Sequence, residues 1–443
     1  MTTDQLLDHI RAARWFGGKG RAVQLIGVTP LPWLRPPGDW PAVRQEIAEL
    51  GYPGSDDHDF YQLLISYRPQ VDEPDRSITK ITDPDHGELV GVDGTEDPAA
   101  HDALLELVLH DGPSTTPGTG SGIESSSVIS HRESGDPLTP GLPSRVFGGE
   151  QSNTSILYAH LAIMKLFRRI EIGRNLDVET HDVLTRTGSP DVARLYGWIE
   201  GSWSGPDGEI AYGADLAMIT ELLADARDGW EYALAELRAG QPFAAEARRL
   251  GHALADVHAL LRTHFPTDTV AGEEVAAIMT GRLQAAISAA PQLAPYADGL
   301  AAAFGSLTGL RLDVQRVHGD FHLGQTLHTP IGWKIIDFEG EPAKTLAERS
   351  RPDSIWRDIA GALRSFDYAA AHHPGARSGS WADDCQQEFL TGYGAADPAA
   401  SDLLRAYVAD KAVYEVVYES RNRPDWVDIP LMAVAAIAEG SQA

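Results

Sequence analysis

Residues 315–342 read QRVHGDFHLGQTLHTPIGWKIIDFEGEP, and the rest of the chain is interpreted outward from them. A short apolar run leads into Asp320 in HGD, and a second run, Trp333-Lys334-Ile335-Ile336, leads into Asp337 in DFE. Strand ends present carboxylates to a cleft in this way. Two such carboxylates suit phosphoryl transfer, which needs one group beside an acceptor hydroxyl and further oxygen ligands for a cation on the nucleotide phosphates.

The spacing sharpens that expectation. In the protein-kinase template the base aspartate is followed five residues on by an amide metal ligand and then by the aspartate of a DFG turn. Here Asp320 is followed by Gln325 and then by Asp337-Phe338-Glu339. An uncharged amide oxygen and a charged carboxylate are hard ligands that suit Mg²⁺ rather than zinc. Asp320 is then free to orient a hydroxyl and accept its proton. A plain hairpin with solvated turn acids is the simplest alternative, and one HGD alone would favour it. A second alternative, metal-dependent hydrolysis through His318 and His322, is weaker, because paired imidazoles at that spacing need a helix and HGDFH contains a glycine.

Composition sets the bounds. The 443 residues are enough for two or three domains, and the formal charge of -28 argues against nucleic acid or an anionic membrane as partner. The single cysteine, Cys385, excludes a disulfide framework and a cysteine-cluster metal site. The N-terminus has no apolar signal-like core and no stretch approaches a membrane span, so a cytoplasmic protein is expected.

In chain order, residues 3–14 read as a helix running into RWFGGKGR. That glycine-rich run has no strand before it and lacks the Walker spacing, so it reads as a turn. Strands follow at 23–30, 59–67 and 89–92, separated by Pro, Gly and Asp clusters, and make a β-rich cap over residues 1–95. A helical pattern at 97–110 and a Gly/Ser/Thr-rich run open a second domain, 96–223. In it, residues 145–158 read strand, glycine turn, strand. Gly148, Gly149, Ser152, Asn153, Thr154 and Ser155 would let backbone N–H groups and small hydroxyls close over phosphates. Lys165 stands in the apolar strand AIMKLF, where an ammonium is costly unless paired. Glu179, in the helical stretch 177–184, is the expected partner, with Glu171 as a competitor in the connecting turn. The buried strand 216–223, which includes Glu221, reads either as an ordinary interior strand or, in a kinase-like chain, as the hinge whose backbone meets adenine. From 224 to 443 the chain is mainly helical, and His258, on the apolar face of ARRLGHALADVHALL, reads as a core histidine.

That order of elements matches an α+β, two-lobed kinase of the aminoglycoside-phosphotransferase type. VFGGEQSNTS, VHGDFHLGQ, DFEGEP, PDSIWRDIAGALRSFDYAA and DKAVYEVVYESRNRPDW resemble the bacterial maltokinase family over nearly the whole chain, cap included. The resemblance implies ATP and Mg²⁺ as cofactors, Asp320 as catalytic base, Gln325 and Asp337 as Mg²⁺ ligands assisted by Glu339, and Lys165 on the phosphates. His322, beside the base, falls among the acceptor contacts.

The family also has an actinobacterial branch that looks like glucosamine kinases. On a helix over 381–389, Trp381, Asp384, Cys385 and Glu388 share a face, placing an indole beside two carboxylates. A hexosamine offers a ring face to the indole and a protonated amine to the acids. The alternative is an amphipathic helix with Trp381, Cys385 and Phe389 in the core and the acids solvated. Taken with the resemblance, this gives a glucosamine kinase forming glucosamine 6-phosphate, with a maltokinase forming maltose 1-phosphate as the alternative. A non-catalytic sensor is disfavoured by the joint presence of Lys165, Asp320, Gln325 and Asp337.

Overall fold

The computed structural model describes residues 2–70, 76–114, 126–148, 152–205, 211–341, 344–373, 380–397 and 400–440. The chain divides into two compact units, residues 1–179 with 194–224, and residues 180–193 with 225–443.

The first unit carries two six-stranded sheets. The cap sheet is antiparallel, in the order Gln24–Arg35, Ala42–Gly51, His58–Arg68, Gly87–Asp93, Ser77–Asp83. Ala42–Gly51 and Ser77–Asp83 add to the three strands expected. Ala42–Gly51 is buried at every position although it reads AVRQEIAELG. Its polar groups are paired inside: Arg44 with Glu46, Tyr67 Oη donating to Glu46 Oε1, and Gln45 with Gln62. The second sheet runs Ser127–Arg132, Leu195–Ser204, Ala211–Glu221, Ala162–Leu166, Thr154–Tyr158, Ser144–Phe147, and the helix Pro98–His110 packs on it. That helix starts where Asp97 caps it and Pro98 occupies the first turn, a favoured place for proline.

Within this unit the cap and the second sheet share one core. Val43, Ile47, Phe60 and Leu64 cluster with Ile156, Met164, Ile199 and Leu216. Arg169–Ile170 pairs with His58–Arg68 as a sixth strand, and Gln62 Nε2 donates to the carbonyls of Phe167 (2.7 Å) and Leu216 (2.8 Å).

The second unit is helical apart from two small sheets, one of which is Arg227–Asp228, Thr326–Thr329 and Gly332–Ile335. Ala244–His264 lies against Trp381–Tyr393 at very close range. A Cβ at Gly251 would stand 2.3 Å from the Phe389 carbonyl oxygen, and one at Gly392 would stand 2.0 Å from that of Arg248. Among the described residues no helix is long and apolar enough to cross a membrane.

Candidate functional site

The candidate residues of the first unit gather on its second sheet. Lys165 lies in Ala162–Leu166, with Ser155 on one neighbouring strand and Met218 on the other as register partners. Lys165 Nζ makes an ion pair with Asp177 Oδ2 at 3.2 Å, on the helix Leu176–Arg186 that also carries Glu179, the acid expected from the sequence. Asn175 accepts from the N–H of Asp177 at 2.8 Å and so fixes the start of that helix. A helix-borne acid beside a strand lysine was legible.

Ser144–Phe147 and Thr154–Tyr158 form the expected hairpin, with Phe147 opposite Ser155. Gly148 sits in its turn with open space where a side chain would go, Ser152 and Asn153 lead back into the strand, and Thr154 opens it. Gly149 lies outside the described residues. Glu221 ends Ala211–Glu221; its N–H donates to Arg194 O (2.8 Å), and the next N–H, of Leu222, donates to Leu161 O (3.0 Å).

In the second unit the HGD turn hangs from one buried carboxylate. Asp358, fully buried on the helix Trp356–Ala371, accepts from the N–H of His318 at 2.7 Å and of Gly319 at 2.8 Å. His258 Nε2 donates to the same carboxylate at 2.9 Å while its Nδ1 accepts from Tyr393 Oη at 2.8 Å, so His258 is the core histidine expected. Burial alone would raise the pKa of Asp358; the His258 hydrogen bond, His318 and the Gly319 N–H outweigh it and hold the group ionised. Gly319 has a φ of 86°, a backbone conformation that glycine adopts without strain. The turn is also closed from the far side, where His318 Nε2 donates to Ile336 O at 2.9 Å.

This geometry brings Gln325 and Asp337 together: Gln325 Nε2 donates to Asp337 Oδ2 at 3.1 Å, and the Ile336 N–H donates to Gln325 O at 3.1 Å. Asp337 has a φ of 67°, a left-handed backbone that costs a non-glycine residue about 1 kcal/mol or more and is found where function demands it. Glu339 follows half-buried, and its carbonyl accepts from Arg349. Two carboxylates and an amide oxygen make a donor set of hard oxygens that fits a small divalent cation.

Asp320 is half-buried, and Lys411 Nζ lies 3.1 Å from its Oδ1. Burial would raise its pKa, but the Lys411 ammonium and the His322 and His318 rings outweigh this and hold it below the usual carboxylate range. Burial lowers the pKa of His322, whose Nδ1 accepts from the Gly324 N–H at 3.0 Å. Next to Lys411 is a cavity of about 340 Å³, lined among others by Tyr407, Tyr414, Arg282, Glu341 and Arg357.

The helix Trp381–Tyr393 is placed otherwise than the sugar-pocket expectation had it. Cys385 and Phe389 are fully buried, and Trp381 packs against Phe243 and Phe366. Asp384 is exposed and accepts from Ser380 Oγ at 2.8 Å, and Glu388 pairs with Arg248 at 3.1 Å in a groove beside His252. The close approach at Gly251 and Gly392 packs Cys385 and Phe389 of this helix into the core. Sequence analysis gave Asp177, Asp358 and Lys411 no role. A charged residue in the apolar run WRDIAGALRSF and another in DKAVYEVV were the available signals.

Residues 9–97 match the family model described as the maltokinase N-terminal cap domain. Glucosamine kinase from Streptacidiphilus jiangxiensis is 26% identical over 317 residues, spanning 63% of this chain and 70% of that protein. Glucosamine kinase from Mycolicibacterium smegmatis (strain ATCC 700084 / mc(2)155) is 24% identical over 323 residues, spanning 66% and 78%. A solved glucosamine kinase in complex with glucosamine, ADP and inorganic phosphate has a TM-score of 0.66 at 18% identity and covers 99% of this chain and 100% of that one. The fold is therefore α+β with an N-terminal β-rich cap and is similar to that of the solved glucosamine kinase. Within that fold the chain resembles the maltokinase-like family in its glucosamine kinase branch.

Proposed function

We propose that this protein is an ATP-dependent sugar kinase that phosphorylates glucosamine to glucosamine 6-phosphate. The reading is supported by the Asp320, Gln325 and Asp337 constellation on a chain whose relatives above are glucosamine kinases. Lys165, fixed by Asp177, binds phosphate oxygens of ATP, and the turn at Gly148 and Ser152 to Ser155 closes on them. Gln325, Asp337 and Glu339 would hold Mg²⁺, which neutralises charge on the transferring group when bound. Asp320 orients the acceptor hydroxyl and takes its proton as the acceptor oxygen bonds to the γ-phosphorus and the bond to ADP breaks. His322, neutral beside it, offers a ring nitrogen to the acceptor. Such an ATP-consuming enzyme belongs in the cytoplasm.

A maltose acceptor is the second reading, favoured by a specific observation. Glu341 and Asp410 line the cavity beside Lys411 but are already ion-paired with Lys344 (2.8 Å) and Arg282 (2.5 Å), whereas Tyr414 and Tyr418 are exposed and stacked at 6.3 Å. Stacked rings suit an uncharged disaccharide. ADP release measured with glucosamine, glucose, N-acetylglucosamine and maltose decides. The highest kcat/KM is expected for glucosamine, and a higher value for maltose installs the second reading.

A further inference from the structure

The proposed base is held by a residue that the reaction scheme above leaves unused. Asp320 makes one side-chain hydrogen bond among the described residues, from Lys411 to Oδ1 at 3.1 Å, and Oδ2 has no such partner. Lys411 comes from the middle of the helix Ser401–Asn422, far along the chain from the HGD turn. That helix is pinned on both sides of the lysine. Arg282 Nη1 reaches Asp410 Oδ2 at 2.5 Å, and fully buried Arg364 reaches Glu415 Oε2 through Nε at 2.8 Å. One turn further, Tyr368 Oη donates to Glu419 Oε1 at 3.1 Å, so neighbouring helices fix the register of the lysine.

A flexible ammonium on so firmly held a stretch does little for stability, because desolvating it costs about as much as the pair returns. It serves orientation. A carboxylate that could swing would present its two oxygens to the acceptor interchangeably. With Oδ1 taken, only Oδ2 can meet the hydroxyl.

We propose that Lys411 is the positioning residue for Asp320, occupying Oδ1 and fixing the carboxylate so that Oδ2 receives the acceptor proton. This rests on Asp320 being the base. It assigns Lys411 to the chemical step and not to nucleotide binding, which predicts a division between kinetic constants that a merely structural lysine would not produce.

Steady-state kinetics of K411M, K411Q and K411R, with thermal melts of each, test it. At saturating acceptor, K411M is expected to lose about 100-fold in kcat, the scale of misplacing a reacting group by about an ångström, with the KM for ATP within about twofold of the parent value. K411R keeps charge and donors and is expected to recover about tenfold of that loss. K411Q applies the same criteria, should K411M fail to fold. The proposal is overturned if the folded methionine or glutamine variant keeps its kcat, if the loss falls wholly on the KM of the acceptor, or if K411R is no better than K411M. An active Asp320→Asn would instead remove the base reading itself. An inactive Asp320→Asn beside an unimpaired K411M removes only the role of Lys411.

Discussion

Asp358 shows how much of the site rests on a residue that does no chemistry. Fully buried itself, it is the acceptor for two backbone N–H groups of the HGD turn and for the His258 ring. Asp358→Ala leaves those donors without a partner, so a loss of about 3–5 kcal/mol is expected in urea unfolding, and a change below about 1 kcal/mol contradicts the assignment. Cys385 gives a second test at this scale. Burial pushes its thiol up to about 12, so it should not react with an aromatic disulfide reagent at pH 8 in the native protein, and one thiol should react after denaturation. Asp384→Asn, at an exposed acid, is expected to leave kcat/KM for glucosamine unchanged within a few-fold, and a loss of tenfold or more would return that helix to the acceptor site. Asp320 and Asp337 stood out in the sequence because their spacing matches the kinase template. Lys411 was not, because its contact with Asp320 spans 91 positions and only the packed helices create it.

Among the elements, the helix Trp356–Ala371 governs the precision of the site. Phe321, next to the proposed base, runs so close to this helix that a Cβ at Gly361 would lie 2.2 Å from its carbonyl oxygen, which backbone cannot yield without moving the HGD turn. Gly361→Ala should therefore cost about 1–3 kcal/mol and also lower kcat, and calorimetry with an activity assay on the same sample checks both. A variant with unchanged melting and turnover would show that the approach is not tight. Helices and the glycine hairpin were legible from period and punctuation, but Ala42–Gly51 was not. AVRQEIAELG alternates polar residues as an exposed or helical segment would, and it lies buried only because Arg44, Gln45 and Glu46 find partners on its own or the neighbouring strand. Charge pairing across strands leaves no periodic trace in a single sequence.

For the molecule as a whole, the cap is continuous with the sheet that holds Lys165. Gln62 spans the two by donating to Phe167 O and Leu216 O, and residues from both sheets fill one core. Gln62→Leu strands two buried carbonyls and should cost about 1–3 kcal/mol for each, while weakening ATP binding because Phe167 lies two residues beyond Lys165. Denaturation and nucleotide titration of the same variant test this, and full stability with full affinity would separate the cap from the nucleotide sheet. Sequence analysis draws a boundary near residue 95, and the core shared across it was not legible, since it depends on strand Arg169–Ile170 joining the cap sheet.

The central claim is that Asp320 is the base of a sugar kinase, and one paired measurement reaches it most directly. Glucosamine-dependent ADP release and ATP binding are compared for the parent protein and Asp320→Asn. Turnover in the variant is expected to fall by about 10²–10⁴-fold, the scale of general-base catalysis, while ATP affinity stays within a few-fold. Near-parental turnover in a folded Asp320→Asn that still binds ATP would contradict the account.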